Sequence, residues 1–321
     1  MHGMDAQVFV GVDVSQETLE VAVRPGSEHW QAPNDSTGVR QLVKRLTKLP
    51  GPLVVCEATG GLERELVLAL GLAGVPVVVM NPKRIHAFAL ASGKLAKNDR
   101  LDAEVIAHFA ETFRPEPRPL PTAEREVLVL LVTRREQLIE MRTMEQNRRT
   151  RAVASLRKRI DAHLAWLKRE IDTLDRDIAQ HLRRSVWKEQ DAILQSAKGV
   201  GPVLSATLLA QLPELGHLSH GEIAALVGVA PFDNDSGKHM GHRTIKGGRG
   251  QVRTALYMAT LSAIRCNPII RAHYSQLKAR GKLEKVAIVA CMRKFLHILN
   301  AMLRDQRPWV SPAAQPLAIA A

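Results

Sequence analysis

The chain reads as a mixed α/β domain followed by a long helical spacer and a mostly α C-terminal unit. Three observations predict this. Two β-rich runs, 8–14 (VFVGVDV) and 18–24 (TLEVAVR), open the chain and give way to alternating strand and helix patterns that last to about residue 113. From Ala123 to about Leu182 the pattern is helical, and Ile160, Leu164, Leu167, Ile171, Leu174 and Ile178 recur at spacings alternating between four and three. Residues 190 to 305 are helical again, interrupted by a Gly- and Lys-rich segment near 234–250.

In order, SQE joins the two opening runs and HWQAP adds a third strand, an antiparallel meander. A helix from about 35 to 48, the apolar run LVVCEA, a helix from about 62 to 73 and the strand VPVVVMNP follow. A helix over 99–113 ends at RPEPRPLPT, which reads as a domain boundary. Three strands, then helix, strand, helix and strand, is the order of the ribonuclease H-like fold. Nucleases share that fold with actin-like sugar kinases, so fold alone does not choose between them. The expected domains are 1–115, a helical linker over 122–188, a C-terminal domain over 189–307 and a poorly ordered tail, 308–321. The four-three seam predicts a coiled coil, through which copies of the chain would associate; the alternative is a helix packed on a neighbour within the chain.

Lys and Arg number 45 and Asp and Glu 32, a formal charge of +13, with the excess gathered in 134–159 and 238–253. A polyanionic partner follows naturally, and a solvated basic surface is the competing explanation. RTMEQNRRTRAVASLRKR presents basic groups suited to phosphates on the long helix, and Arg271, Lys278, Arg280, Lys282, Lys285, Arg293 and Lys294 continue the basic character. Aromatic residues are only 4% of the chain, which argues against binding dominated by base stacking. Cys56, Cys266 and Cys291 are scattered and unpaired in spacing, which argues against disulfides and zinc knuckles and fits a reducing, cytoplasmic setting. The N-terminus has no signal pattern, and the apolar stretch Leu66 to Met80 is broken by Gly71, Gly74 and Pro76, so no membrane partner is expected.

Four acids stand out. Asp13 follows Val8, Val10 and Val12 in a period-two pattern that places it on the opposite face of its strand or at its edge. Glu57 ends LVVCE, on what is expected to be the neighbouring strand, and Asp99 and Asp102 lie three apart on one helix face. Singly, each has a structural explanation as a strand end, cap or helix-start acid. Together on this strand order they predict a site whose mutual repulsion is neutralised by Mg2+ or Mn2+, with two-metal phosphoryl-transfer chemistry.

GVDVSQETLEVAV, CEATGG and KNDRLDAE closely resemble the DEDD tetrad of the insertion-sequence family numbered 110, which Piv-type DNA invertases share. The likeness runs on through VVMNPKRIHAFALASGKLAKNDRLDA and GVAPFDNDSGKHMGHRTIKGGRGQVRTALYMATL, covering almost the whole chain. It implies a RuvC-like N-terminal domain carrying Asp13, Glu57, Asp99 and Asp102, and a C-terminal transposase domain in which Ser236 of DNDSGK is the nucleophile. It further implies a covalent serine-DNA intermediate, double-stranded DNA partners at the element ends and target, and a structured bridge RNA. The setting it implies is prokaryotic and nucleoid-associated, and strand exchange implies a homo-oligomer, dimer or tetramer.

A serine hydroxyl needs help to attack phosphorus. Lys238, His239, His242, Arg243, Lys246, Arg249 and Arg253 crowd the segment around Ser236 and suit a scissile phosphate, although no single base is singled out. Read without the resemblance, Ser236 is a Ser-Gly turn residue, and His239 with His242 has only a weak zinc-like spacing. QSAKGVGPVLSATLLAQL resembles a helix-hairpin-helix in which Lys198, Gly199 and Gly201 would let a phosphate approach a helix N-terminus; a tight turn between packed helices is the alternative. The competing functions are a RuvC-like nuclease or resolvase without serine catalysis, a non-catalytic nucleic-acid-binding protein, and an actin-like kinase suggested by GVDVSQETLEV. The kinase lacks a second glycine-rich phosphate motif.

Overall fold

The structure, a computed structural model, describes residues 7–93, 99–117, 122–233 and 243–310, with Asp99 described by its backbone alone. The chain divides into two compact units, Met1–Pro121 and Thr122–Ala321.

In the first unit, β1 (Val8–Val14), β2 (Thr18–Arg24) and β3 (His29–Pro33) form the expected meander. Helix α1 (Ser36–Leu46), strand β4 (Pro52–Glu57), helix α2 (Arg64–Leu72) and strand β5 (Val77–Met80) then bring parallel strands to the other side of β1. The sheet order is β3-β2-β1-β4-β5. The central strands β1 and β4 are apolar on both faces because helices cover both. On one face Val10, Val12, Leu19, Val54 and Cys56 pack under Leu42 and Leu46 of α1 and Leu66 and Leu70 of α2. On the other, Phe9, Leu53, Val55 and Val78 meet Ile85 of α3 (Pro82–Ala91) and Ile106 and Phe109 of α4 (Asp99–Phe113). Helix α3 corrects the sequence reading, which ended the strand at MNP. Asn81 caps α3 by accepting from the Lys83 amide at 2.9 Å, and Pro82 occupies the first turn, where its missing N–H is not needed.

The second unit opens with two long helices, α5 (Ala123–Arg151) and α6 (Ala154–Arg184). They are joined through Ala152 and Val153, both in extended backbone, so the basic run 142–159 turns a corner instead of lying along one helix. The pair folds back on itself within the chain. Leu167 and Ile171 of the four-three seam pack on Leu138, Ile178 joins Leu128 and Val132, and Arg135 pairs with Asp175 at 2.6 Å. The inner seam is therefore occupied by a helix of the same chain. Towards the corner, Ile160 and Leu164 are only half-buried, Met141, Met144, Val153 and Leu156 are exposed, and Arg149 pairs with Asp161.

Helices α7 (Lys188–Ser196), α8 (Pro202–Gln211), α9 (His220–Val227), α10 (Gly250–Cys266), α11 (Pro268–Ala279) and α12 (Glu284–Arg304) build the core of the second unit. Among the described residues α12 is the one helix long and apolar enough to span a membrane, but Ile288, Met292, Phe295, Leu296 and Leu299 lie buried in this core. Trp309, expected in a loose tail, also packs on the core, and its amide donates to Ser196 Oγ at 2.7 Å.

Candidate active site

The acids are placed by one close helix-sheet approach. Gly11 of β1 faces α4 so closely that a Cβ there would lie 2.2 Å from the Ala103 carbonyl oxygen and 2.3 Å from the Ala107 nitrogen. Farther along α4, Glu111 pairs at 2.6 Å with Arg24, the residue across from Phe9 near the start of β1. Helix α4 thus runs antiparallel to β1, and its N-terminal turn, with Asp99 and Asp102, lies towards the end of β1 that carries Asp13. In the parallel β1/β4 pair Val12 is opposite Cys56, so Asp13 and Glu57 are the next neighbours along that register. Both alternate onto the α4 face, since Phe9, Leu53 and Val55 do.

Asp13, Glu57 and Asp102 are half-buried. Among the described residues no three His, Cys, Asp or Glu side chains already lie close enough to share an ion, and the Asp99 side chain is outside the description. What the fold supplies is a set of hard oxygen donors at one end of one sheet face.

Two further carboxylates border this end and were not singled out from sequence. Glu20 of β2 lies directly across from Asp13; it accepts from Gln31 Nε2 at 2.5 Å, and His29 Nε2 is 3.4 Å from its other oxygen. The short SQE connection already fixed that pairing. Glu63 closes the loop that follows Glu57, its Oε2 accepting from the Thr59 hydroxyl at 2.8 Å and the Gly61 amide at 2.9 Å. Burial alone would raise the Glu63 carboxyl, but these hydrogen bonds hold it below the usual glutamate value. The Cys56 thiol is pushed up to about 12 by burial and then by Glu63 and Glu57, which makes it an inert core residue.

In the second unit, β6 (Pro231–Phe232) and β7 (Thr244–Ile245) form a short antiparallel stem. The segment between its strands contains Ser236, Lys238, His239 and His242, all outside the described residues. At the stem, Arg243 Nε lies 2.6 Å from Asp233, and Lys246 is exposed. Arg249 and Arg253 are held inward. Arg249 grips both oxygens of Glu214 at 2.6 and 2.7 Å and the Gln211 carbonyl at 2.8 Å, while Arg253 donates to the carbonyls of Val227 and Gly247.

The predicted helix-hairpin-helix residues form the turn between α7 and α8. Gly199 has φ +103°, and a Cβ there would meet the Ala263 Cβ of α10 at 2.6 Å, so this glycine permits helix packing. Gly201, at the start of α8, faces open space. Lys198 is exposed, and its carbonyl accepts from Asn267 at 3.1 Å.

The basic excess belongs to the second unit. Residues 1–121 hold 13 Lys and Arg against 14 Asp and Glu, whereas residues 122–321 hold 32 against 18, net charges of −1 and +14.

Comparisons with known proteins fall on both units. A DEDD family model described as transposase matches residues 10–156, and a second, described as the IS116/IS110/IS902 transposase family, matches residues 191–275. The chain is 24% identical over 317 residues to the pilin gene-inverting protein of Moraxella bovis, covering 95% of this chain and 98% of that protein. It is 32% identical over 166 residues to a 44.8 kDa protein of insertion element IS116 from Streptomyces clavuligerus, half of this chain and 39% of that one. With a 42 kDa protein of IS900 from Mycobacterium paratuberculosis the identity is 34% over 157 residues, 48% of this chain and 37% of that one.

Proposed function

Because the chain belongs to the IS116/IS110/IS902 family of transposases, and is thus a DNA transposase or recombinase, we propose that it cleaves and rejoins DNA with two cooperating sites, the acids of the first unit and Ser236 of the second. The observation that carries this is the antiparallel seating of α4 on Gly11, which puts the N-terminal turn of α4 at the end of the sheet where β1 and β4 reach Asp13 and Glu57. The β3-β2-β1-β4-β5 order supports a ribonuclease H-like, RuvC-like reading of that unit.

Asp13, Glu57, Asp99 and Asp102 offer the donors that would hold Mg2+ or Mn2+. Bound there, the ion would stabilise charge on the oxygens around the scissile phosphorus. Ser236 attacks phosphorus, forming an Oγ–P ester as the P–O bond to the departing strand breaks; the serine proton goes to a base, and the departing oxygen takes up a proton. Arg243 and Lys246, with Lys238 and His242, hold the phosphate and offset its developing charge. Arg249 and Arg253 act by fixing the stem. Lys198 and Gly201 offer a further phosphate-binding point. A structured bridge RNA and assembly as a homo-oligomer complete the proposal.

The test is a denaturing gel. Purified protein is incubated with RNA transcribed from the flanking DNA, magnesium and labelled element-end duplex. A protein-DNA adduct lost in both Ser236→Ala and Asp102→Ala is the expected result. Free cleaved ends that persist in Ser236→Ala would instead make the chain a metal-dependent nuclease.

A further inference from the structure

The corner between α11 and α12 carries a charge that neither site uses. Residues 271–294 contain seven Lys and Arg against a single acid, Glu284. Lys278, Arg280, Lys282, Lys285 and Arg293 are all exposed, and among the described residues none has a carboxylate partner. Other exposed arginines of this unit do have carboxylate partners, Arg149 with Asp161, Arg243 with Asp233 and Arg304 with Asp305.

The cations also converge in space. Helix α12 folds back on α11 through the turn at Arg280 to Leu283, which brings groups from both helices around His273. Burial first, then Lys294, Arg280 and Arg293, hold the His273 imidazole below its ordinary value. Such a cluster repels itself, a cost that a polyanion offsets. The one Phe, Tyr or Trp in residues 268–294, Tyr274, packs on the core, and His273 is half-buried, so the corner offers little platform for stacking unpaired bases. The chemistry on offer is phosphate binding alone, which suits a duplex backbone.

We propose that the α11–α12 corner is a sequence-independent docking surface for duplex DNA, in which Lys278, Arg280, Lys282, Lys285 and Arg293 bind backbone phosphates. It rests on the chain's action on DNA but on neither the acids nor Ser236, and it lies beyond residue 275, where the second family match ends.

Fluorescence anisotropy of the full chain with a labelled duplex of unrelated sequence, without magnesium, tests it apart from adduct formation. The triple variant Arg280→Gln, Lys282→Gln, Lys285→Gln changes only exposed residues, and an unchanged Tm confirms its fold. We expect affinity to fall roughly tenfold or more at low salt, and the slope of log K against log salt to become shallower by about 2 to 3, since each phosphate left without its cation removes about 0.9. In the unmodified protein, duplex DNA should also slow acetylation of Lys282 and Lys285, an assay that needs no variant. Unchanged affinity and slope would overturn the proposal. So would a weakening confined to an RNA duplex of the same sequence, or to phosphatidylserine vesicles, whose anionic surface the exposed Leu283 and Val286 would also suit.

Discussion

Gly11 is a single residue on which the placement of the acids depends. Gly11→Ala inserts a methyl where the α4 backbone already lies, so α4 must lift from the sheet. A loss of roughly 2 to 3 kcal/mol is expected from overpacking, read as a lower denaturation midpoint, with magnesium-dependent cleavage falling further than the stability loss explains. Arg249 and Arg243 separate stability from chemistry. Arg249→Ala removes the two-pronged partner of the Glu214 carboxylate, itself 16% exposed, and should cost about 1.5 to 3 kcal/mol in urea unfolding. Arg243→Ala breaks a pair in which both side chains are at least 60% exposed; it should leave stability within about 0.5 kcal/mol while lowering adduct yield. His297 stacks on His220 with centroids 4.6 Å apart, and burial, then His220 and Arg293, lower its proton affinity. The unfolded chain therefore binds the extra proton first, and stability is lost as pH falls from 6.5 through the lowered folded value. Urea midpoints across that window should slope with pH and flatten in His297→Gln.

At the scale of elements, helix-hairpin-helix resemblance conceals two different glycines. Gly199→Ala should destabilise the second unit by forcing α7 and α10 apart, whereas Gly201→Ala, facing open space, should leave thermal unfolding nearly unchanged; differential scanning fluorimetry separates them. The strands of the first unit were legible because alternation and short connections leave few alternatives: VFVGVDV and TLEVAVR become β1 and β2 as read. Helix α3 was not, because the reading VPVVVMNP runs the strand through Asn81 and Pro82, which instead serve as cap and first-turn proline. The seam of α6 was legible as a seam but not as to its partner, since heptad spacing says which face is buried and not by whom. Leu138→Ala tests that partner: burial against Leu167 and Ile171 within one chain predicts a loss of about 2 to 4 kcal/mol that does not vary with protein concentration in equilibrium unfolding.

Across the whole chain, charge and acids are divided between the units. The first, at −1, carries the tetrad, and the second, at +14, carries the serine segment and the cationic corner. Residues 122–321 produced alone should retain most salt-dependent duplex affinity, and residues 1–121 should bind little, as measured by anisotropy at low salt. The types of the site residues were readable in sequence, but their geometry was not. Nothing in KNDRLDAE tells which way its helix lies on the sheet; that direction comes from Gly11 and from the distant Arg24–Glu111 pair. Stability within the second unit is uneven too. Near Leu128 and Val132 the α5–α6 hairpin is stitched to the large core, whereas near its corner it is held by half-buried Ile160 and Leu164 and by surface pairs. Amide protons there should exchange with deuterium long before those of α12, because closing the corner again returns so little burial. The free end of the hairpin would spend part of its time unwound and take its final order from whatever surface it meets.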